Sequence, residues 1–472
     1  APHFVMYIRQ ILEDKYGKSV IDSGGLEIIT TLDFSIQKLA EKVVAEELDK
    51  LTKLNVTNAA VIVLNPKTGE VLAMVGSRNY FDSENGGNVN VALRPRQPGS
   101  AIKIINYAYV LSNGMNAATI IPDKPVTFLV ESQPPYTPKN YEGNYRGNLT
   151  LRSALAESRN IPAVRVLASY GVDKMIDLGR KMGITSWKDP KNYGLSLTLG
   201  GGEVKLLDLA LAYATIANYG ERPEINPVLK IKNLQGEILQ EFKCDNWNNS
   251  LTVKASSSNS AVIATANSQC IGEKIIDPRV AYLITDILKD NTARSPTFGS
   301  NSLMLIPNHA EVAVKTGTSN DLKDNLTVGY NQNYLTAVWV GNNNNSPMER
   351  IASGITGATP IWNKIMSALL KESESKNWEI PEKLVKISVC PFTETLACPG
   401  CSNRNEWFLE ENRPLYVCSP NWFLAKEEST NSSDDKEPNT GQETKDYPAP
   451  EIIKVEEKSP SLNKKRNILG SN

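Results

Sequence analysis

The sequence RQPGSAIK, residues Arg96 to Lys103, places a serine directly after a Pro-Gly turn and a lysine three residues later. The apolar run IINYAYVL follows, which predicts that the serine stands at the start of a helix. Residues i and i+3 share one helix face, so the amine of Lys103 can reach the hydroxyl of Ser100. The stretch predicts either a nucleophile beside its base or, as the simpler alternative, a capping serine and a solvated lysine.

The first alternative sets a condition on the lysine. A lysine accepts a proton only in its neutral form, so its pKa must fall toward neutrality. Burial lowers a lysine pKa, and a second cation nearby lowers it further. A serine at a helix start also gains from the positive end of the helix dipole.

Two further stretches, ESRNIPAV and VKTGTSND, carry residue types that fit this chemistry. In the second, strand alternation places Thr316 and Thr318 on one face, and Gly317 leaves room for a substrate backbone. Lys315 can supply the second positive charge. Taken singly, the first stretch is also a helix-cap signal and the second a turn. The candidates from the two stretches are Ser158, Asn160, Lys315, Thr316, Gly317 and Thr318.

Composition limits the other possibilities. The chain has 472 residues, a formal net charge of −1 and only two histidines, His3 and His309. The near-neutral charge argues against nucleic acid as a partner, and two poorly placed histidines argue against a His-based triad or metal site. The chain contains no run of 18 or more apolar residues and no signal peptide. Because it starts at Ala1, we expect it to be a piece of a longer protein.

The order of elements predicts an α+β fold with an antiparallel sheet and a helical lobe. A strand is expected over Gly24–Asp33, a helix over Asp33–Leu51 and a hairpin over Ala59–Gly76. Residues 150–220 are mostly helical in pattern, and two strand-rich stretches and a helix follow between His309 and Leu370. The sheet is therefore expected to gather both ends of the sequence.

The last hundred residues change in composition. Residues 390–423 hold four cysteines, and from about Lys426 the chain is polar and poor in aromatic residues, which predicts disorder. The four cysteines could form disulfides, a Cys₄ zinc site or free thiols. A further bridge could join Cys244 and Cys270. The four are Cys390, Cys398, Cys401 and Cys418.

The three stretches contain the motifs Ser-x-x-Lys, Ser-Arg-Asn and Lys-Thr-Gly, in this order. They resemble the motifs of penicillin-binding proteins and class A β-lactamases. Further segments resemble the transpeptidase part of class A (bifunctional) penicillin-binding proteins, including GGLEIITTLDFSIQKLAE, VLNPKTGEVLAMVGSRNYF and LALAYATIANYG. The resemblance covers about residues 1–420. Two positions differ from the usual patterns. Ile104 stands where the family commonly has proline, and the middle residue of Ser-Arg-Asn, Arg159, differs from the residue that β-lactamases have there.

The resemblance implies a serine β-lactamase/penicillin-binding-protein-like transpeptidase fold and a two-step acyl transfer without metal or cofactor. Ser100 would attack the D-Ala-D-Ala carbonyl of a peptidoglycan stem peptide, and Lys103 would accept its proton. Ser158 would relay a proton to the leaving amine, with Lys315 tuning the charge. Further roles are implied for Asn160 and Thr316 in substrate binding, and for Thr318 in substrate and oxyanion binding.

The family also implies the surroundings of the chain. Its partners would be donor and acceptor stem peptides and β-lactams, at the extracytoplasmic face of the bacterial membrane. An anchor and a glycosyltransferase domain would precede Ala1. We expect a linker region at 1–57, a transpeptidase domain at 58–372, a Cys-containing segment at 373–423 and a disordered tail at 424–472.

Two other classes of function stay open. One is hydrolysis, as a D,D-carboxypeptidase or a β-lactamase; the other is a non-catalytic β-lactam sensor. Hydrolysis would need a base that holds a water, and Glu203 is interpreted instead as a first-turn helix residue.

Overall fold

Helices and strands are described here for residues 1–131, 133–242, 272–319, 321–349, 355–419 and 449–455 of the computed structural model. The helices are α1 (Pro2–Tyr16), α2 (Lys18–Ser23), α3 (Phe34–Leu51), α4 (Lys103–Ser112), α5 (Leu151–Ala156), α6 (Asn160–Ala168), α7 (Val172–Lys181), α8 (Leu206–Ala217), α9 (Pro278–Lys289), α10 (Asn291–Phe298) and α11 (Ala358–Leu370). The strands are β1 (Leu26–Thr30), β2 (Asn58–Leu64), β3 (Val71–Val75), β4 (Ile120–Asp123), β5 (Val126–Val130), β6 (Gly147–Thr150), β7 (Glu221–Arg222), β8 (Val228–Asn233), β9 (Ile238–Glu241), β10 (Glu273–Lys274), β11 (Ala313–Thr318), β12 (Asp324–Tyr330), β13 (Leu335–Gly341), β14 (Leu384–Val389), β15 (Arg404–Leu409) and β16 (Glu451–Val455).

An antiparallel sheet in the order β11-β12-β13-β2-β3 lies at the centre of the fold. Its strands come from two distant parts of the sequence. The pairing of β13 with β2, along the full length of both strands, joins these two parts. Side chains of β2 alternate between the two faces. Ile62 packs into the core shared with the helical lobe, whereas Val61 and Val63 pack into the core formed with α3 and α11. The predicted α+β organisation is confirmed.

The helical lobe covers one face of this sheet. Helix α4 is apolar almost all round and is buried between α6, α7 and α9, as expected for a helix inside a core. Helices α8 and α9 connect the lobe to the sheet. None of the described helices combines the length and the apolar character needed to cross a membrane.

The start of the chain follows the sequence pattern closely. The predicted strand at 24–33 is β1, which pairs with β8 in a separate small sheet. Helix α3 begins after Asp33, whose carboxylate accepts hydrogen bonds from the backbone N–H groups of Ser35 and Ile36 at 2.8 and 3.1 Å. Such a cap satisfies donors that a helix start leaves unpaired.

The segment after α11 docks onto the helical lobe as a hairpin of β14 and β15. Buried Arg152 of α5 forms ion pairs with Glu406 of β15 and Asp286 of α9. Lys289 also pairs with Asp286 at 3.3 Å, so two cations balance the two carboxylates. Burial of these charges is tolerated because each is paired and hydrogen-bonded. The hairpin is therefore joined to the lobe by a specific polar contact.

Two disulfide bonds cross-link the chain beside this hairpin, and no free thiol remains among the described cysteines. The sequence left open whether these cysteines form disulfides, a zinc site or free thiols, and the structure contains disulfides. The Cys244–Cys270 pair lies outside the described residues. The observed bonds are Cys390–Cys401 and Cys398–Cys418.

Part of the predicted disordered tail is ordered. Residues Glu451–Val455 form β16, which pairs in parallel with β5. The composition of the tail is polar overall, but the short EIIKV stretch has enough β-branched residues to add to a sheet edge. The prediction of disorder was wrong for these five residues.

Candidate active site

Three glycines bring the start of α4 into backbone contact with its neighbours. A Cβ on Gly317 of β11 would lie 2.2 Å from the carbonyl oxygen of Pro98, and one on Gly99 would lie 2.6 Å from the Thr318 nitrogen. A Cβ on Gly200 would lie 2.3 Å from the Gly99 nitrogen. Gly317 is thus required because the turn before Ser100 packs against β11, which is a different reason from the substrate backbone that the sequence suggested.

Ser100 lies on a 3₁₀ turn, Gly99–Ile102, and the α-helix begins only at Lys103. The sequence predicted one continuous helix here. A 3₁₀ turn has three residues per turn, so side chains at i and i+3 eclipse one another. This geometry places the side chains of Ser100 and Lys103 on the same side of the turn. No hydrogen bond joins the two side chains in the described residues.

Lys103 is completely buried beneath Ser100. Its Nζ donates to the carbonyl oxygens of Ser158 and Arg159 at 2.7 and 3.1 Å, and to Oδ1 of Asn160 at 2.8 Å. These acceptors favour the ammonium form, but burial, Lys315 and Arg159 together hold the pKa of Lys103 well below its ordinary value. The neutral amine required of a general base is therefore accessible.

The Ser158–Asn160 loop is held in an unusual conformation. The φ angle of Ser158 is +61°, in the left-handed region of the backbone map that residues other than glycine rarely adopt. The loop is fixed by Arg159, which forms a fully buried ion pair with Asp123 at 2.8 Å. Asn140 accepts a hydrogen bond from the Asn160 N–H at 2.9 Å. Such strain persists only where the surroundings determine the conformation, and it is common at active sites.

Lys315 approaches the same loop from β11. Its Nζ donates to Oγ of Ser158 at 2.7 Å and to the carbonyl of Thr316 at 2.9 Å. Burial lowers the pKa of Lys315 from 10.5 to about 7. Ser158 therefore contacts Lys315 through its hydroxyl and Lys103 through its backbone carbonyl. The carbonyl positions the amine of Lys103, whereas the hydroxyl can exchange a proton with Lys315.

We expect Lys315→Met to change how stability depends on pH. Because the folded pKa is about 7 and the ordinary value is 10.5, the unfolded chain binds a proton across this interval that the folded chain lacks. Wild-type stability therefore rises with pH in this window, by at most about 1.4 kcal/mol per pH unit from this group. The variant lacks this contribution, so wild type should gain stability relative to it.

Urea unfolding at several pH values between about 7 and 10 measures this difference. Lys371→Met, at a largely exposed lysine, is the matched control and should show no such trend. A constant difference between wild type and Lys315→Met across the range would contradict the burial of a neutral lysine.

A cavity of about 300 Å³ opens over these groups. Six of the eight predicted residues line it, whereas Lys103 and Lys315 lie buried behind its wall. Tyr141, Phe298 and Ile355 add apolar surface to its rim. A mostly apolar cleft with a few convergent polar groups is typical of a ligand site. The six are Ser100, Ser158, Asn160, Thr316, Gly317 and Thr318.

Glu157 also lines the cavity, and sequence reasoning missed it. Its carboxylate is buried, lies 3.5 Å from Arg146 and accepts a hydrogen bond from Thr297 at 3.2 Å. Burial raises its pKa. The available signal was its position directly before Ser158.

The prediction that Glu203 lies in the first turn of a helix is wrong. Helix α8 starts at Leu206, so Glu203 lies outside it, exposed and absent from the cavity wall. Glu157, and not Glu203, is the buried carboxylate nearest in sequence to the motifs. It is thus the group to examine for any hydrolytic activity.

The arrangement can perform nucleophilic catalysis. The nucleophile is a hydroxyl at a helix start. A buried lysine of lowered pKa one turn later in the chain, and a second hydroxyl bonded to another lysine, can accept and return its proton. The backbone N–H of Ser100 belongs to the first turn, where such groups have no intrahelical acceptor. An N–H in this position can stabilise a developing oxyanion.

Comparison with known proteins gives the same picture. The profile of the penicillin binding protein transpeptidase domain matches residues 59–367. Penicillin-binding protein 1A of Pseudomonas aeruginosa is 30% identical over 395 residues, covering 78% of this chain and 47% of that protein. Penicillin-binding protein 1A of Neisseria meningitidis is 33% identical over 330 residues, which cover 69% of this chain and 37% of that protein. The chain spans less than half the length of these relatives.

Two solved structures share the fold. Penicillin-Binding Protein 1A from Haemophilus influenzae superposes with a TM-score of 0.74 at 20% identity, covering 88% of this chain and 77% of that one. The PonA1 protein from Mycobacterium tuberculosis in complex with penicillin V superposes with a TM-score of 0.62 at 24% identity. The match covers 79% of this chain and 93% of that one. The expected fold class is therefore confirmed.

Proposed function

The chain belongs to the penicillin-binding protein transpeptidase family, and we propose that it is a serine D,D-transpeptidase that crosslinks peptidoglycan stem peptides. One observation carries this proposal above all. Ser158 bonds Lys315 through its hydroxyl and Lys103 through its carbonyl, directly beside a cavity into which Ser100 faces. Two buried lysines of lowered pKa and a second hydroxyl thus lie close to the serine, and they can supply the base that a histidine supplies elsewhere.

In the first half of the reaction, Oγ of Ser100 attacks the carbonyl carbon between the two terminal D-alanines of a donor stem. Its proton passes to neutral Lys103. The oxyanion is bound by the N–H groups of Ser100 and Thr318, a contribution of about 3 kcal/mol per donor at comparable sites. The peptide bond then breaks, and the leaving D-alanine amine receives a proton through Ser158.

In the second half, an amine from another stem attacks the Ser100 ester. The amine loses a proton to the same route, the ester bond breaks, and Ser100 regains its hydrogen. A new amide joins the two stems. Before the first step, hydroxyls of Thr316 and Thr318 hold the terminal carboxylate of the intact donor. In both halves Asn160 holds a substrate amide and orients Lys103.

A β-lactam reacts at the same serine because its strained amide replaces the donor's scissile bond. Ring opening releases no leaving group, so the remainder of the drug stays over the ester and obstructs the acceptor. We propose β-lactams as inhibitors on this basis. The reaction needs no metal or cofactor, since both protons and both nucleophiles come from the chain and its substrates.

The place of action follows from the substrate. Peptidoglycan stems are crosslinked outside the cytoplasm, so we propose the extracytoplasmic face of the bacterial membrane. An anchor and a glycosyltransferase domain are proposed for the full-length protein, as are the segment boundaries at 57/58, 372/373 and 423/424. Disulfides in the C-terminal segment suit this compartment.

The test is product analysis with a peptide ending in D-Ala-D-Ala, with and without an added D-amino acid as acceptor. We expect released D-alanine together with a new amide to the acceptor. Released D-alanine without any acceptor product would instead favour a carboxypeptidase. A stable β-lactam adduct with no peptide turnover would favour a sensor.

A further inference from the structure

Strand β16 occupies an edge of β5 from far away in the sequence. The two strands run parallel in the register Glu451–Val126 to Val455–Val130, and Ile453 lies opposite Phe128. Ile453 is 5% exposed and packs in the main core, whereas its neighbour Ile452 is 67% exposed. The strand is thus anchored by one apolar face, as in β-augmentation by an extended peptide.

One path of contacts leads from this strand through β5 to the Ser158–Asn160 loop. Phe128, opposite Ile453, also exchanges two backbone hydrogen bonds with Tyr136 at 2.8 and 2.9 Å. The chain then continues to Lys139, whose carbonyl accepts from the side chain of Asn160 at 2.9 Å. Asn140 follows and accepts from the Asn160 N–H at 2.9 Å.

A second path leads to the same residue through α6. Glu451 forms an ion pair with Arg165 at 2.6 Å. Arg165 is fully buried, and its helix begins at Asn160. Asn160 in turn accepts the hydrogen bond from Lys103. The tail strand therefore contacts α6 directly and reaches the Tyr136–Asn140 stretch through β5.

We infer that Glu451–Val455 is a positioning element for the active site, acting through Asn160 on Lys103. The inference rests on the proposed function. When β16 is docked, the Tyr136–Asn140 stretch and α6 are held against each other with Asn160 between them. When it is undocked, Asn160 loses part of this support, and Lys103 loses orientation toward Ser100 without losing any catalytic group. Positioning errors of about 1 Å cost about 10²-fold in rate.

Ile453→Asp in the full chain should undock the strand, because it places a charge at a buried position. Ile452→Asp is the matched control, with the same change at the adjacent exposed position. We expect Ile453→Asp to lower the rate of acylation by a chromogenic cephalosporin about 10- to 100-fold. Most of this loss should fall on the acylation step, with a smaller loss in drug binding, to which Asn160 also contributes. Ile452→Asp should acylate at the wild-type rate.

Rescue separates positioning from mere loss of stability. A synthetic peptide of residues 449–455 added to Ile453→Asp should restore the acylation rate, and the same peptide carrying Asp at 453 should not. If Ile453→Asp fails to fold, Glu451→Gln replaces it, with lowered acylation expected and recovery in Glu451→Asp. Both substitutions keep the strand's apolar face.

The outcomes are distinguishable from failure of the proposed function. If wild type itself forms no acyl-enzyme, the proposed function falls. If wild type acylates and the Ile453→Asp and Glu451→Gln variants acylate equally fast, the positioning role is refuted. A lowered rate that the wild-type peptide does not restore, in a folded variant, would also overturn it.

Discussion

A fluorescent penicillin is expected to label the wild-type chain covalently at one site and to leave Ser100→Ala entirely unlabelled. Ser100 is the hydroxyl that faces the cavity at the start of the 3₁₀ turn, above buried Lys103. Alanine removes the nucleophile and little volume, so the fold should be retained. Gel fluorescence measures the loss, and mass spectrometry of the wild-type peptide locates the adduct.

The matched control is Ser112→Ala, at the exposed last residue of the same helix. It makes the same chemical change at the far end of α4 and should label like wild type. Undiminished labelling of Ser100→Ala would show that the nucleophile is another residue, and Ser158 would be the next to test.

The adduct on Ser100 should also persist for many minutes after free drug is removed. Fast hydrolysis needs a base that holds a water beside the ester, and the buried carboxylate that lines the cavity next to Ser158, Glu157, is already engaged by Arg146 and Thr297. Turnover of about one per second or faster, within the usual enzyme range, would favour a β-lactamase. Glu157→Gln would then show whether this group is the base.

Lys103→Arg is expected to reduce acylation by about 10²- to 10⁴-fold while the chain stays folded, since general bases contribute about this much. Arginine keeps a positive charge and hydrogen-bond donors for the acceptors around Nζ, but it does not become neutral at working pH. The loss should therefore fall on the acylation step. Stopped-flow measurement with a chromogenic cephalosporin separates this step from drug binding.

The pH profile gives a second readout. Burial, Lys315 and Arg159 lower the pKa of Lys103, so wild-type acylation should fall as the pH drops and the amine becomes protonated. Lys103→Arg should lose that dependence. Lys124→Arg, at an exposed lysine, is the control and should behave as wild type. Acylation of Lys103→Arg within about tenfold of wild type would place the base elsewhere.

The sequence by itself determined much of this protein. Local rules were enough for the elements. Asp33 caps a helix because its carboxylate reaches the next N–H groups, and the continuous apolar run of β2 made it a strand buried on both faces. Spacing was enough to pair Ser100 with Lys103, since a helical turn fixes which residues share a face. These features depend on residues within a few positions of one another.

The tertiary structure decided what depends on distant residues. Burial lowers the pKa values of both Lys103 and Lys315, and the charges of Lys315 and Arg159 lower that of Lys103 further. The loop that carries the strained Ser158 is held by Asp123 and Asn140, and β16 finds its partner more than three hundred residues earlier. No local pattern encodes these contacts, because each is a free energy gained only when the folded core excludes water and fixes both partners. The composition of the tail therefore predicted disorder for a strand that pairs with β5 and contacts α6.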